Sequence, residues 1–246
     1  MHLLVTRPEP EASAMAMRLR ADGHTVTIEP LLFVEVLNAA RLELDGVQAL
    51  IATSRNAMRS LGVRQELAAA RRLTIVAVGP GTAAEARKLG FERILAGPRA
   101  ARDLLPVIQA VMKPDAGALL HLAGEELAFD LTGALCAAGY SARSAILYRT
   151  IAPCRLTPAT ADELQTGAID GVILMSPRTA TAWSRLLKVE RLQDFGVNII
   201  HFCLSQAVSA ALPSPMPVRI EVAVQPNLEE MLALVARVAA QSFSHS

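Results

Sequence analysis

Hydroxyl and guanidinium groups at the ends of apolar runs are the chemistry this chain spells most clearly. DGVQALIATSRNAM (45–58) and IDGVILMSPRTATAW (169–183) each stay apolar up to a serine, Ser54 or Ser176, then turn polar and helix-like. In a parallel sheet such a serine falls at the carboxyl end of a strand, where open α/β folds bind ligands. Ser54-Arg55-Asn56 and Ser176-Pro177-Arg178 each join a hydroxyl, a helix start and a guanidinium. That set suits carboxylates, because arginine pairs with them bidentately and a helix start adds partial positive charge. The same residues also read as helix N-caps beside solvated arginines. With two copies present, both readings stand.

Other strand ends carry weaker signals. Gly79-Pro80-Gly81-Thr82 follows the run LTIVAV and precedes the helical pattern TAAEARKLG. Free N–H groups there would favour an anion, with Thr82 capping the helix or donating to the ligand; a simple tight turn fits equally. A dinucleotide site is disfavoured, because Arg99 stands where a ribose-binding acid is expected, and no Walker-type lysine occurs. Thr6-Arg7-Pro8 closes the first apolar run and offers Arg7 to an anion, whereas Glu125-Glu126 is expected to start a helix. Tyr148, one of two tyrosines, ends the run AILY and is read either as a proton donor or as an anchor at a domain edge. His121 and His201 fall inside apolar runs and are expected to be satisfied core histidines. Cys136, Cys154 and Cys203 are read as buried or incidental, with no disulfide framework. No histidine or cysteine spacing suggests a metal site, and no serine-hydrolase elbow or zinc-protease motif appears.

The elements that must position these groups alternate along the chain. Apolar runs such as HLLVT, ALIATS, LTIVAVG, ALLHLAG, GVILMS and NIIHFCLS are separated by helical patterns, the grammar of parallel sheets flanked by helices. Gly23, Gly90 and Gly139 each follow a helical pattern, as a terminating glycine does. The series looks duplicated, with about five strands per half. Leu3 to Gly23 and Leu119 to Gly139 match in length, and RILAG before ARDLLPVI mirrors IEVAV before LEEMLALV. Two independent α/β halves would also look alike. Residues 35–44 and 151–168, the latter with Pro153 and Pro158, lack periodicity and read as linkers. They suggest a chain that leaves its first domain after a β-α-β unit and later returns, although sequential domains fit too.

Bulk properties bound the function. The 246 residues are 52% hydrophobic and only 4% aromatic, with a formal net charge of +1. Such a chain has no global field for nucleic acid or an anionic membrane. No basic, apolar leader opens the sequence and no apolar run reaches membrane-spanning length. The three widely spaced cysteines, without a disulfide framework, fit a reduced cytoplasm, the expected location.

The ordered set VTRP, ATSRNAM, VAVGPGTAAEARKLG, AGYSARSAILYRT, VILMSPRTATAW and NLEEMLALV resembles the uroporphyrinogen-III synthase family over essentially the whole chain. The resemblance implies two similar α/β domains, 1–34 plus 152–246 and 38–147, joined by a two-stranded linker at 35–37 and 148–151, with the active site in a cleft. It implies a lyase of tetrapyrrole synthesis that needs neither cofactor nor metal. Its substrate would be hydroxymethylbilane, closed into a ring with inversion of the last pyrrole and loss of water. Tyr148 matches the family's tyrosine and is expected to assist departure of the hydroxyl. Ser54, Thr82 and Ser176 match hydroxyl positions for substrate carboxylates, with Arg7, Arg55 and Arg178 as further candidates. Where relatives often carry glycine and paired threonines, this chain reads Leu204-Ser205-Gln206-Ala207-Val208, leaving Ser205, Gln206 or backbone N–H groups to replace them. A monomer is expected, with at most transient contact with the preceding enzyme of the pathway. The competing reading is a non-catalytic two-lobed binding protein for a polyanionic small molecule.

Overall fold

The computed structural model describes residues 1–38, 41–98, 100–196, 199–213 and 219–243. Arg99, Asn198 and linker residues 39 and 40 lie outside the described set. The apolar runs form β1 (His2–Val5), β2 (Thr25–Ile28), β3 (Phe33–Val36), β4 (Val47–Ala52), β5 (Thr74–Val78) and β6 (Ile94–Gly97). They continue with β7 (Ala118–Gly124), β8 (Ala142–Ile151), β9 (Gly171–Leu174), β10 (Ile200–Cys203) and β11 (Arg219–Val222). Two compact units result: a discontinuous one, Met1–Phe33 with Ile151–Ser246, and a continuous one, Val34–Thr150.

The discontinuous unit holds a five-stranded sheet in the order β11-β10-β9-β1-β2, every pair parallel. The continuous unit holds a six-stranded sheet, β3-β8-β7-β4-β5-β6, parallel from β8 to β6. Without β3, the second order read backwards is β6-β5-β4-β7-β8, which matches the first element by element. β1 therefore corresponds to β7, β2 to β8, β9 to β4, β10 to β5 and β11 to β6. The duplication seen in the sequence is thus a tandem series, β1-β2-β4-β5-β6 followed by β7-β8-β9-β10-β11. Each sheet takes two strands from one series and three from the other. In each, the strand order reverses between a matched pair: β1 beside β9, and β7 beside β4.

Burial explains which runs became central. β4, β9 and β10 are covered on both faces, as strands inside α/β layers must be, whereas the edge strands β2, β6 and β11 keep exposed residues. Leu4, Val172, Leu174, Trp183 and Leu186 fill one face of the first sheet; Leu3, Val5, Met15, Ile173, Phe202 and Met231 fill the other. In the second sheet the two faces are Leu50, Met58, Leu61 and Leu120 against Ile51, Val76, Ile108, Leu119 and Leu135. Helix 177–189 reaches its core through Ala180, Trp183, Leu186 and Leu187, an i, i+3, i+6, i+7 stripe. Its Trp183 indole donates to Nε2 of buried His201 at 3.1 Å, while the His201 Nδ1 lies 3.2 Å from the Ile199 carbonyl. His201 is the satisfied core histidine expected. Gly23, Gly90 and Gly139 end helices with φ of +84°, +83° and +87°.

The segments read as linkers carry some regular structure. β3 begins at Phe33 and is hydrogen-bonded to β8, with Arg149 forking onto Glu35 at 2.9 and 3.1 Å. Residues 151–168 contain a helix, Pro158–Gln165. Pro158 is a breaker only in a helix interior; here it follows the Thr157 cap, where its missing N–H costs nothing. The buried Glu29 carboxylate anchors that helix start, accepting from the Thr157 amide at 3.2 Å and the Thr160 hydroxyl at 2.6 Å. Cys203 is buried and its thiol is pushed up to about 12 by burial, whereas Cys136 and Cys154 are exposed.

Candidate active site

In the continuous unit the carboxyl ends of β4, β5, β7 and β8 enclose a cavity of about 600 Å³. It lies where the strand order reverses, the place at which open α/β sheets receive ligands. Thr53 and Ser54 enter it from the end of β4, His121 and Gly124 from β7, and Tyr148 from β8, with Arg102 from the short 3-10 helix Ala101–Asp103 and Phe129 from a loop. Tyr148 owes its position to Gly124. A Cβ on that glycine would stand 2.7 Å from the tyrosine Cζ and 3.0 Å from its hydroxyl, so only glycine lets the ring lie against β7.

A second cavity of about 500 Å³ shares Thr53, Ser54 and Val78 with the first and adds Arg55, Gly79, Pro80, Gly81 and Thr82. Helix 79–88 starts at Gly79, whose φ of +66° lets the chain turn straight from β5 into the helix. Thr82 is therefore a buried first-turn residue, correcting its placement as the cap. No side chain caps this helix, and its first-turn residues Gly79, Gly81 and Thr82 line the cavity. Ser54 Oγ accepts from the Asn56 amide at 3.1 Å, making it the N-cap of helix 55–62 and a cavity wall at once. The two readings of this serine are compatible.

His121 departs from expectation. It is 1% exposed, and its Nε2 lies 3.1 Å from the Thr53 hydroxyl, but its Nδ1 is buried without a hydrogen-bond partner. Burial pushes its pKa down to about 4, opposed by the charge of Asp130, so the ring is neutral at pH 7. The acidic pair Glu125-Glu126 also differs: no helix begins there. It lies in the exposed loop before Leu131–Ala137, and Asp130 caps that helix by accepting from the Gly133 amide at 2.9 Å.

The remaining candidates sit at the carboxyl ends of the other sheet. Ser176 caps helix 177–189, accepting from the Thr179 amide at 3.1 Å and pairing with its hydroxyl at 2.8 Å. Arg178 is exposed in the first turn of that helix, and half-buried Arg7 follows β1. Ser205 stands at the start of helix 206–209 with no side-chain capping bond, and Gln206 is exposed beside it. In the matched series Ser205 corresponds to Gly79 and Val208 to Thr82, so this end of the first sheet has lost a hydroxyl that the second keeps.

A family model described as uroporphyrinogen-III synthase HemD matches residues 13–233. The chain belongs to the uroporphyrinogen-III synthase family. The solved synthase of Helicobacter pylori 26695 is similar in fold, with a TM-score of 0.65 at 17% identity over 97% of this chain and 100% of that one. A mutant synthase of the extremely thermophilic bacterium Thermus thermophilus gives a TM-score of 0.54, also at 17% identity, over 98% and 99% of the two chains. No curated protein matches. Synthases of this family are enzymes of tetrapyrrole synthesis. Among the described residues of this chain, no group of histidine, cysteine and carboxylate side chains could hold a metal, and no helix is long and apolar enough to cross a membrane.

Of the residues expected from the sequence, Tyr148, Ser54, Arg55 and Thr82 meet around two adjoining cavities of one unit. Arg7, Ser176, Arg178, Ser205 and Gln206 belong to the other. Thr53, His121 and Arg102 were missed. Thr53 had a signal, since it adjoins Ser54 at a strand end; His121 in ALLHLAG had none beyond being polar in an apolar run.

Proposed function

We propose that this chain cyclises hydroxymethylbilane to uroporphyrinogen III, inverting the last pyrrole and releasing water. Family membership across residues 13–233 carries the reading, and the cavity that joins Tyr148 to strand-end hydroxyls supports it. The substrate supplies much of its own reactivity. Its electron-rich terminal pyrrole expels the hydroxyl, which leaves as water once protonated, and stabilises the resulting cation. The substituted carbon of the last ring then attacks to give a spiro intermediate. That intermediate fragments, recloses through the other α-carbon and loses a proton.

The protein's task is to favour this closure over direct, non-inverting closure. Holding a flexible chain near its attack geometry can contribute roughly 7–11 kcal/mol. Tyr148 is assigned to the departing hydroxyl as a proton or hydrogen-bond donor, a role worth about 10²–10⁴-fold in general acid catalysis. Ser54, Thr82, Arg55 and the first-turn amides of helix 79–88 are assigned to substrate carboxylates. Arg7, Ser176, Arg178, Ser205 and Gln206 provide the donors of the discontinuous unit. The reaction is that of a cyclising hydro-lyase acting in the cytoplasm as a monomer, without cofactor. Freshly generated hydroxymethylbilane incubated with the purified protein should yield the type III isomer on oxidation and chromatography. Only the non-inverted type I isomer would refute the reading.

A further inference from the structure

We propose that Thr53 is a further donor to a substrate carboxylate, and that His121 is the positioning residue that aims its hydroxyl into the cavity. The inference rests on the cyclase reading above and refines its substrate-binding face. Both residues line the 600 Å³ cavity that also contains Tyr148, and His121 Nε2 stands 3.1 Å from Thr53 Oγ1.

The fold does not require this pair. Register places Val5 opposite Ile173 in one sheet and His121 opposite Ile51 in the other. Aligning the capping serines Ser176 and Ser54 then makes Met175 the counterpart of Thr53. Val5 lies in an apolar cluster against which half-buried Met175 packs, so the same strand-end floor is satisfied by hydrocarbon. In the continuous unit it carries instead a nearly inaccessible imidazole with one nitrogen unpartnered. An unpaired buried polar atom is unfavourable, which makes a packing explanation poor.

The neutral ring carries one N–H, on either nitrogen. With the hydrogen on Nδ1, a buried donor would have no acceptor. With it on Nε2, the orphan is an acceptor, the more readily tolerated case. We assign Nε2–H: it donates to a lone pair of Thr53 Oγ1 and leaves the threonine O–H to donate elsewhere. A group aimed that way fits an anion, and the substrate brings carboxylates.

The test is steady-state kinetics of the full-length protein with hydroxymethylbilane, beside thermal melts. Thr53→Val should raise KM roughly tenfold with kcat within about twofold, as loss of one hydrogen bond to a charged group predicts. Thr53→Ser should retain the wild-type KM. His121→Leu should reproduce the KM effect, while His121→Gln, whose amide can donate from the Nε2 position, should largely restore it. The double variant Thr53→Val/His121→Leu should be no worse than Thr53→Val alone, because the two act through one bond. If Thr53→Val does not fold, Thr53→Ala carries the same expectation. An unchanged KM in the threonine variants, or additive losses in the double variant, overturns the pair while leaving the cyclase reading intact. Type I product from the wild-type protein overturns both, and is seen before any variant is made.

Discussion

The two sheets share strand order and parallel direction, yet their reversal points are furnished differently. Val5 and Met175 floor one with hydrocarbon; His121 and Thr53 floor the other with a hydrogen-bonded polar pair. Both sheets place a capping serine one residue further on, Ser176 and Ser54. The scaffold therefore dictates the serine twice, because a helix must start there, and leaves the floor beneath it open. The matched strand order gives two similar strand-end faces whose side chains differ. The hydroxyl chemistry is concentrated in the continuous unit, where Tyr148 and Thr82 also lie, while the discontinuous unit offers Arg7, Arg178 and the capped end at Ser176.

Acidification should bring out the polar floor most strongly. His121 and His201 are each pushed down to about 4 by burial, so the folded state favours their neutral forms. The unfolded chain takes protons first, near its ordinary value of about 6.5. Stability from this source is fully present above about pH 6.5 and is lost as the pH falls towards 4, on the order of 3 kcal/mol per histidine. Denaturant titrations across that range should show the decline, and His121→Val combined with Thr53→Met should make it shallower by the share of one histidine. A decline unchanged in that double variant would mean that His121 is not buried as described.

A next, smaller effect comes from reversing the comparison. Val5→His places an imidazole on the apolar floor with Met175 in place of a hydroxyl. It should cost about 2–4 kcal/mol at pH 7 by urea unfolding, the penalty of an unpaired buried polar group together with disturbed packing. If the variant is as stable as the wild type, the hydrocarbon floor is not a constraint of the fold. Tyr148→Phe should lower kcat at least tenfold, and about a hundredfold or more if the hydroxyl transfers its proton in full, with the unfolding midpoint unchanged. Unchanged turnover would remove Tyr148 from the chemistry.

The architecture was legible because it is written in periodicities. Buried strands such as VQALIA and GVIL are unbroken apolar runs, helix ends carry glycines, and the repeat set the order of elements. What stayed hidden depended on partners distant in sequence. Helix 158–165 was obscured by Pro153 and Pro158, and its anchor Glu29 lies more than a hundred residues away. His121 looks like core from its neighbours alone, since only the fold brings Thr53 to its ring. Gly79 starts its helix directly, so Thr82 lies further inside than the spelling suggested. Glu125-Glu126 resembles a helix start, but Asp130 takes that role. Local grammar specified the elements, while the furnishing of the cavity required tertiary contacts.

The central proposal is that the strand-end donors named in each unit bind carboxylates of the substrate. The most direct measurement is the KM for hydroxymethylbilane of two single variants, Arg55→Ala in the continuous unit and Arg178→Ala in the discontinuous one. Both side chains are exposed, so the fold should survive. Each variant should raise KM roughly three- to tenfold, as loss of one charge-assisted contact predicts, with type III product retained. A KM that responds to only one of the two arginines, or to neither, would contradict the account.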